Sequence, residues 1–96
     1  MEDQIETIKS ASIHEREEII TDFARWLETA SQDAFVYGEG RFALMSASMA
    51  EAIRLNADEL ARETPETAER VLQQAWSMIS RFKAAYPHPV ISRSVH

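Results

Sequence analysis

Residues 36–60, VYGEGRFALMSASMAEAIRLNADEL, hold both glycines of the chain, Gly38 and Gly40, followed by a run crowded with Ala, Ser and Met. A glycine takes positive φ without a Cβ penalty, so this pair marks the end of one helix or a sharp turn into the next. The segment after it, 41–63, reads as a helix. Its main apolar stripe is Phe42, Met45, Met49, Ile53 and Leu60, with Ser46 and Ala57 beside them. At 100° per residue Leu44 and Leu55 fall nearly opposite that stripe, with Ser48 next to Leu55. Small residues at 43, 47, 50, 52 and 57 open much of the girth to close approach. A helix with two apolar sides needs more neighbours than a three-helix monomer supplies. The middle helix is therefore expected to be shared with a second subunit or a partner protein.

The flanking segments are one-sided. Ser12-Ile-His-Glu15 has the capping-box form, and from Ile13 the residues Ile19, Ile20, Phe23, Ala24, Trp26, Leu27 and Ala30 fall in one stripe. This predicts a first helix over 13–31. Thr64 is a good N-cap and Pro65 a good first helical residue, and Glu66 suits the positive end of the helix dipole. The stripe Ala68, Val71, Leu72, Ala75, Met78, Ile79, Phe82 and Tyr86 carries the third helix over 65–86. Residues 1–11 contain Ile5 and Ile8 at helical spacing and read as an N-terminal arm. Residues 87–96 lack periodicity and read as a C-terminal tail. The expectation is one all-α domain, 1–96, built as a small bundle of three main helices.

Composition narrows the function classes. The chain has 96 residues, of which 45% are hydrophobic, enough for a globular core. It has no cysteine, so disulfides and Cys-based zinc sites are excluded. The start Met1-Glu2-Asp3 lacks the basic region of a signal peptide, and no apolar run reaches membrane-spanning length, so a soluble cytoplasmic protein is expected. The net charge of −6 argues against direct nucleic-acid binding, which needs clustered Lys and Arg. The acids alternate with Arg rather than forming an array, which disfavours mimicry of DNA.

Several motifs begin like chemistry and stop short of it. HEREE at 14–18 lacks the second histidine that a zinc helix motif places four residues after the first. GEGR at 38–41 lacks the third glycine of a dinucleotide turn and the Lys-Ser/Thr of a phosphate loop. The serines show no His and Asp partners for a triad. Glu59 and Glu63 lie one turn apart with nothing apolar evident beside them, so they read as solvated surface. The expectation is a non-enzyme with no cofactor and no metal.

The stretch EREEIITDFARWLETASQDAFVYGEGRFALMSASMAEAI, followed by the Thr-Pro-Glu helix start, resembles the QslA-like small α-helical antiactivators of pseudomonad quorum sensing. The likeness covers most of the chain and rests on overall appearance and size, without a short signature motif. It implies a protein that binds a LuxR-type (LasR-like) transcription factor at its ligand-binding domain, opposing its self-association and DNA binding. Independently of that likeness, the candidate contact residues are Leu44, Ser48 and Leu55 on the second side of the middle helix. The aromatics Phe35, Tyr37 and Phe42 at the glycine turn are candidate anchors, since interface hot spots favour aromatic side chains, and Arg41 is a candidate charged contact. The same aromatics would also serve to cap the end of the core. The free protein is expected to be a homodimer. The competing classes are a small helical chaperone or scaffold and a helix-turn-helix DNA binder; the latter would bind DNA with a steep salt dependence.

Overall fold

The computed structural model describes residues 2–87, and its elements are all helical: α1 (Glu2–Thr7), α2 (Ile13–Val36), α3 (Gly40–Leu55), α4 (Ala57–Arg62) and α5 (Pro65–Ala85). The all-α expectation holds, with two helices more than the three main ones. No helix among the described residues is long and apolar enough to cross a membrane.

The first addition is α1. Of the segment 1–11, expected to be an arm, residues 2–11 dock on the bundle through Ile5 and Ile8, both buried in the main core. Arg16 of α2 secures the connection by donating to the carbonyl of Ile8 at 2.9 Å and to that of Lys9 at 3.3 Å. Two isoleucines three residues apart suffice to bury one side of a short helix, although the helix is too short to form on its own.

The capping box appears as the spacing predicts. Glu15 N donates to Ser12 Oγ at 3.1 Å, and Ser12 N donates back to the Glu15 carboxylate at 2.8 Å. These bonds hold the Glu15 carboxyl below its ordinary value, because they favour the charged form. From this cap α2 runs one turn further than the expected 31. Its buried stripe continues through Ala30 to Ala34. Ser31, which reads as a helix-ending polar residue, instead donates across the interface to the carbonyl of Ala43 at 2.6 Å.

Gly38, at φ +84°, ends α2. Glu39 N bonds to Ala34 O at 2.8 Å and Gly38 N to Phe35 O at 3.1 Å, which is the paired bonding of a Schellman motif. Gly40, by contrast, is already the first residue of α3. Only one of the two glycines therefore supplies the left-handed conformation.

The second addition is a break. The expected helix 41–63 is interrupted at Asn56, whose backbone sits at φ −108°, ψ 13°. Its side-chain amide donates to Ala52 O at 2.7 Å, sharing that carbonyl with its own backbone N–H at 3.1 Å. Thr64 and Pro65 then open α5 as predicted.

The long helix α2 is the hub, packing against α3, α4 and α5, while α1 leans on α5. The main core joins Ile5, Ile8, Phe23, Leu27, Leu72 and Ile79. A smaller cluster of Ala30, Ala34, Ala43 and Phe82 closes the end near the glycine turn. The buried face of α3 is Ala43, Ser46, Ala50 and Ile53, narrower in side-chain size than the expected Phe42–Met45–Met49 stripe. Small residues on both α2 and α3 let the two helix surfaces approach closely. That rotation turns Met45 outward, leaving it 54% exposed where a core position was expected.

Candidate protein-binding face

The geometry of α3 follows from its inward set. With Ala43, Ser46, Ala50 and Ile53 directed at α2, the residues half a turn away must face outward. These are Leu44, Ser48 and Leu55, all exposed, at 71% for Leu44 and 78% for Leu55. Eleven residues separate the two leucines, three helical turns, so they project in nearly the same direction roughly 16 Å apart. Ala52 lies on the same side, with Met45 and Arg41 at its margins. The outer face of α3 thus presents large apolar side chains at its two ends, with Ser48, Ala52 and the charged Glu51 between them.

Glu28 and Arg54 fix how this helix is held. The Arg54 guanidinium donates through both terminal nitrogens to the Glu28 carboxylate of α2, one of these bonds at 2.9 Å. The Arg54 charge and its hydrogen bonds hold the Glu28 carboxyl below its ordinary value. Arg54 is therefore committed to the bundle. Arg41 makes no ion pair among the described residues, which leaves it available at the start of the outer face.

The three aromatics at the glycine turn divide. Phe42 stacks on Phe82 of α5 with centroids 5.0 Å apart, and Tyr37 stacks on Tyr86 at 4.4 Å. Phe82 and Tyr86 are themselves 5.2 Å apart, so four rings form one intramolecular cluster that caps the smaller core. The Tyr86 hydroxyl donates to the Glu39 carboxylate, tying the end of α5 to the turn. This bond and the adjacent negative charge push the Tyr86 hydroxyl above its ordinary value. Phe35 stands apart, 74% exposed at the end of α2 beside the exposed Val36. Of the seven candidate residues, Leu44, Ser48, Leu55 and Arg41 share one helix face. Phe35 projects from a neighbouring helix end. Tyr37 and Phe42 serve the bundle's own packing.

Met45 escaped the sequence reading as a surface residue because helical periodicity alone does not say which of two apolar stripes is inward. The small-residue spacing Ala43–Ser46–Ala50–Ile53 was the available signal. Among the described residues no group of three His, Cys, Asp or Glu side chains is placed to hold a metal ion. His14 of the HEREE stretch lies 3.7 Å from Glu18 on an exposed turn of α2. The tail positions 88–96, His88 and His96 included, lie outside the described residues. Comparison with known protein families, characterised proteins and solved structures finds no match to this chain.

Proposed function

We propose that this chain is a regulatory protein-binding module that inhibits a LuxR-type transcription factor by stoichiometric binding to its ligand-binding domain, blocking that factor's dimerisation and DNA binding. The identity of the partner rests on the resemblance to the QslA-like antiactivators. The observation that supports a binding role is the outer face of α3, where two leucines are more than two-thirds exposed on a helix whose small residues face the core. Isolated surface leucines are common, but these two share one helix face, with Ser48, Glu51 and Ala52 between them and Met45 at the margin. In this reading inhibition needs no covalent step, and complementary contact supplies the energy. Full burial of each leucine contributes about 1.5–3 kcal/mol. In the absence of the regulator a second copy of the chain covers the same face, giving a homodimer.

The test is the double variant L44Q/L55Q, mixed with the ligand-binding domain of a LasR-like regulator. Its helical circular dichroism should match wild type, because neither side chain enters the core. Affinity for the regulator, measured by calorimetry, should fall about tenfold or more, since each decade corresponds to about 1.4 kcal/mol. Regulator-dependent DNA binding should recover in parallel. A variant that folds and still inhibits at wild-type strength would remove the outer face of α3 from the mechanism. Sedimentation equilibrium at micromolar concentration should show wild type at twice the chain mass and the variant as a monomer.

A further inference from the structure

A second surface lies beside the break at Asn56, apart from the two leucines of the outer face of α3. Where α3 gives way to α4, an open trough of about 370 Å³ lies between these helices and α5. Met49 and Ile53 of α3, Leu60 of α4 and Val71 of α5 form its apolar floor, and Glu59 and Glu63 stand beside them. The sequence reading placed these two glutamates on a solvated surface with nothing apolar adjacent. The structure overturns that expectation, because Met49, Ile53, Leu60 and Val71 lie beside them.

The charges around the trough are unbalanced. Glu59 and Glu63 are one helical turn apart, a spacing at which like charges repel. The two arginines of this segment are engaged elsewhere: Arg62 with Asp58 at 3.1 Å, and Arg54 with Glu28. No ion pair among the described residues neutralises either glutamate. An apolar floor edged by two uncompensated carboxylates is complementary to an apolar side chain flanked by cationic ones. Met49 adds adaptability, because an unbranched thioether repacks around different shapes.

The geometry points to this trough as a docking site for a basic amphipathic segment of a partner protein, one bulky apolar residue seated on Met49 and Leu60 with a neighbouring Lys or Arg reaching Glu59 and Glu63. Such helix-in-groove recognition is read as apolar anchors at helical spacing. The net charge of −6 steers basic segments toward the molecule. Met49 and Ile53 lie about a third to a half of a turn around α3 from Leu44 and Leu55, and Ala52 borders both surfaces, so a peptide can occupy the trough without covering either leucine.

The probe is a short amphipathic peptide of leucine and lysine, with a leucine–glutamate peptide of the same pattern as its control. Methyl resonances of Met49, Leu60 and Val71 should shift on adding the lysine peptide and stay in place with the glutamate peptide. The variant E59Q/E63Q changes no buried group and should fold. Its affinity for the lysine peptide should fall about fivefold, in keeping with two rim charges, and the remaining binding should lose most of its salt dependence. L44Q/L55Q should bind the peptide as wild type does. The inference is overturned if the lysine peptide does not bind, if the glutamate peptide binds equally well, or if E59Q/E63Q binds undiminished. It is overturned equally if L44Q/L55Q loses the peptide, which would place the peptide on the outer face of α3 instead.

Discussion

The two sides of α3 invert the usual arrangement. Toward α2 it offers Ala43, Ser46 and Ala50, with Ile53 as the one large side chain. Toward solvent it offers Leu44, Met45 and Leu55. The inner side gains stability from proximity, since small residues bring the two helix surfaces and the larger residues of α2 into contact. The outer side holds apolar area that the monomer leaves uncovered. Total hydrophobicity therefore does not identify the core side of a helix; the size of the residues and the identity of the neighbour do.

The sharpest way to break this comparison is to exchange the two kinds of side chain. Ala50 is fully buried against α2, so Ala50→Leu should overpack the interface and cost about 1–3 kcal/mol. In a chain of this size each kcal/mol lowers the melting temperature by about 4–8 °C. L44Q/L55Q, which alters two side chains rather than one, should change the folding free energy by less than about 0.5 kcal/mol. Both measurements belong at submicromolar protein, where self-association does not add to apparent stability. If Ala50→Leu is tolerated while the leucine pair destabilises, the two sides have been assigned the wrong way round.

Much of this was legible in the sequence, for identifiable reasons. Ser12–Glu15 and Thr64–Pro65 declare their helix starts through local hydrogen bonding and fixed φ, and both caps form. Gly38 ends α2 because only its conformation closes the turn. Leu44 and Leu55 lay opposite the strongest apolar stripe in the sequence, and they are exposed. What stayed hidden depends on tertiary contact. Ile5 within α1 and Ile8 just beyond it are held because the main core, with α5 beside α1, gives them a surface. Asn56 interrupts the helix with a non-helical backbone while its side chain bonds to Ala52, and periodicity carries no trace of that choice. Phe42 and Tyr37 went to the ring cluster because Phe82 and Tyr86 come within reach only after α5 folds back. The apolar setting of Glu59 and Glu63 was present in the spacing of Met49, Ile53 and Leu60 on their own face, and only Val71 of α5 needed the fold.

A smaller effect, of opposite sign, sits within the inner side. Ser46 is fully buried, and its hydroxyl finds no hydrogen-bond partner. Ser31, on the facing helix, does find one in the Ala43 carbonyl. The comparison predicts different signs for the same truncation. Ser46→Ala removes an unsatisfied buried hydroxyl and improves helix propensity, and should stabilise by about 1 kcal/mol. Ser31→Ala removes a made bond and should destabilise by about 0.5–1.5 kcal/mol. Urea midpoints of the two variants, read at constant slope, decide this. Equal shifts of the same sign would show that the interface does not distinguish a satisfied hydroxyl from an orphaned one.

The smallest effect lies at the boundary between the two sides, where Arg54 reaches Glu28. The folded Glu28 carboxyl is held below its ordinary value of 4.5, chiefly by the Arg54 hydrogen bonds. A depressed carboxyl contributes stability above the unfolded value and loses it as pH falls through the folded one. Wild type should therefore exceed Glu28→Gln in stability at neutral pH, and the gap should close once the pH has fallen well below 4.5. Both partners are substantially exposed, so salt should shrink the gap at neutral pH as well. Glu15 also has a lowered carboxyl, from its cap, and so retains its share of the acid-side slope in both proteins. The difference between the two pH curves then isolates Glu28. A gap that persists in acid would mean that the two side chains differ in their hydrogen bonding when neutral, and that the Glu28 charge is not what ties α3 to α2 through Arg54.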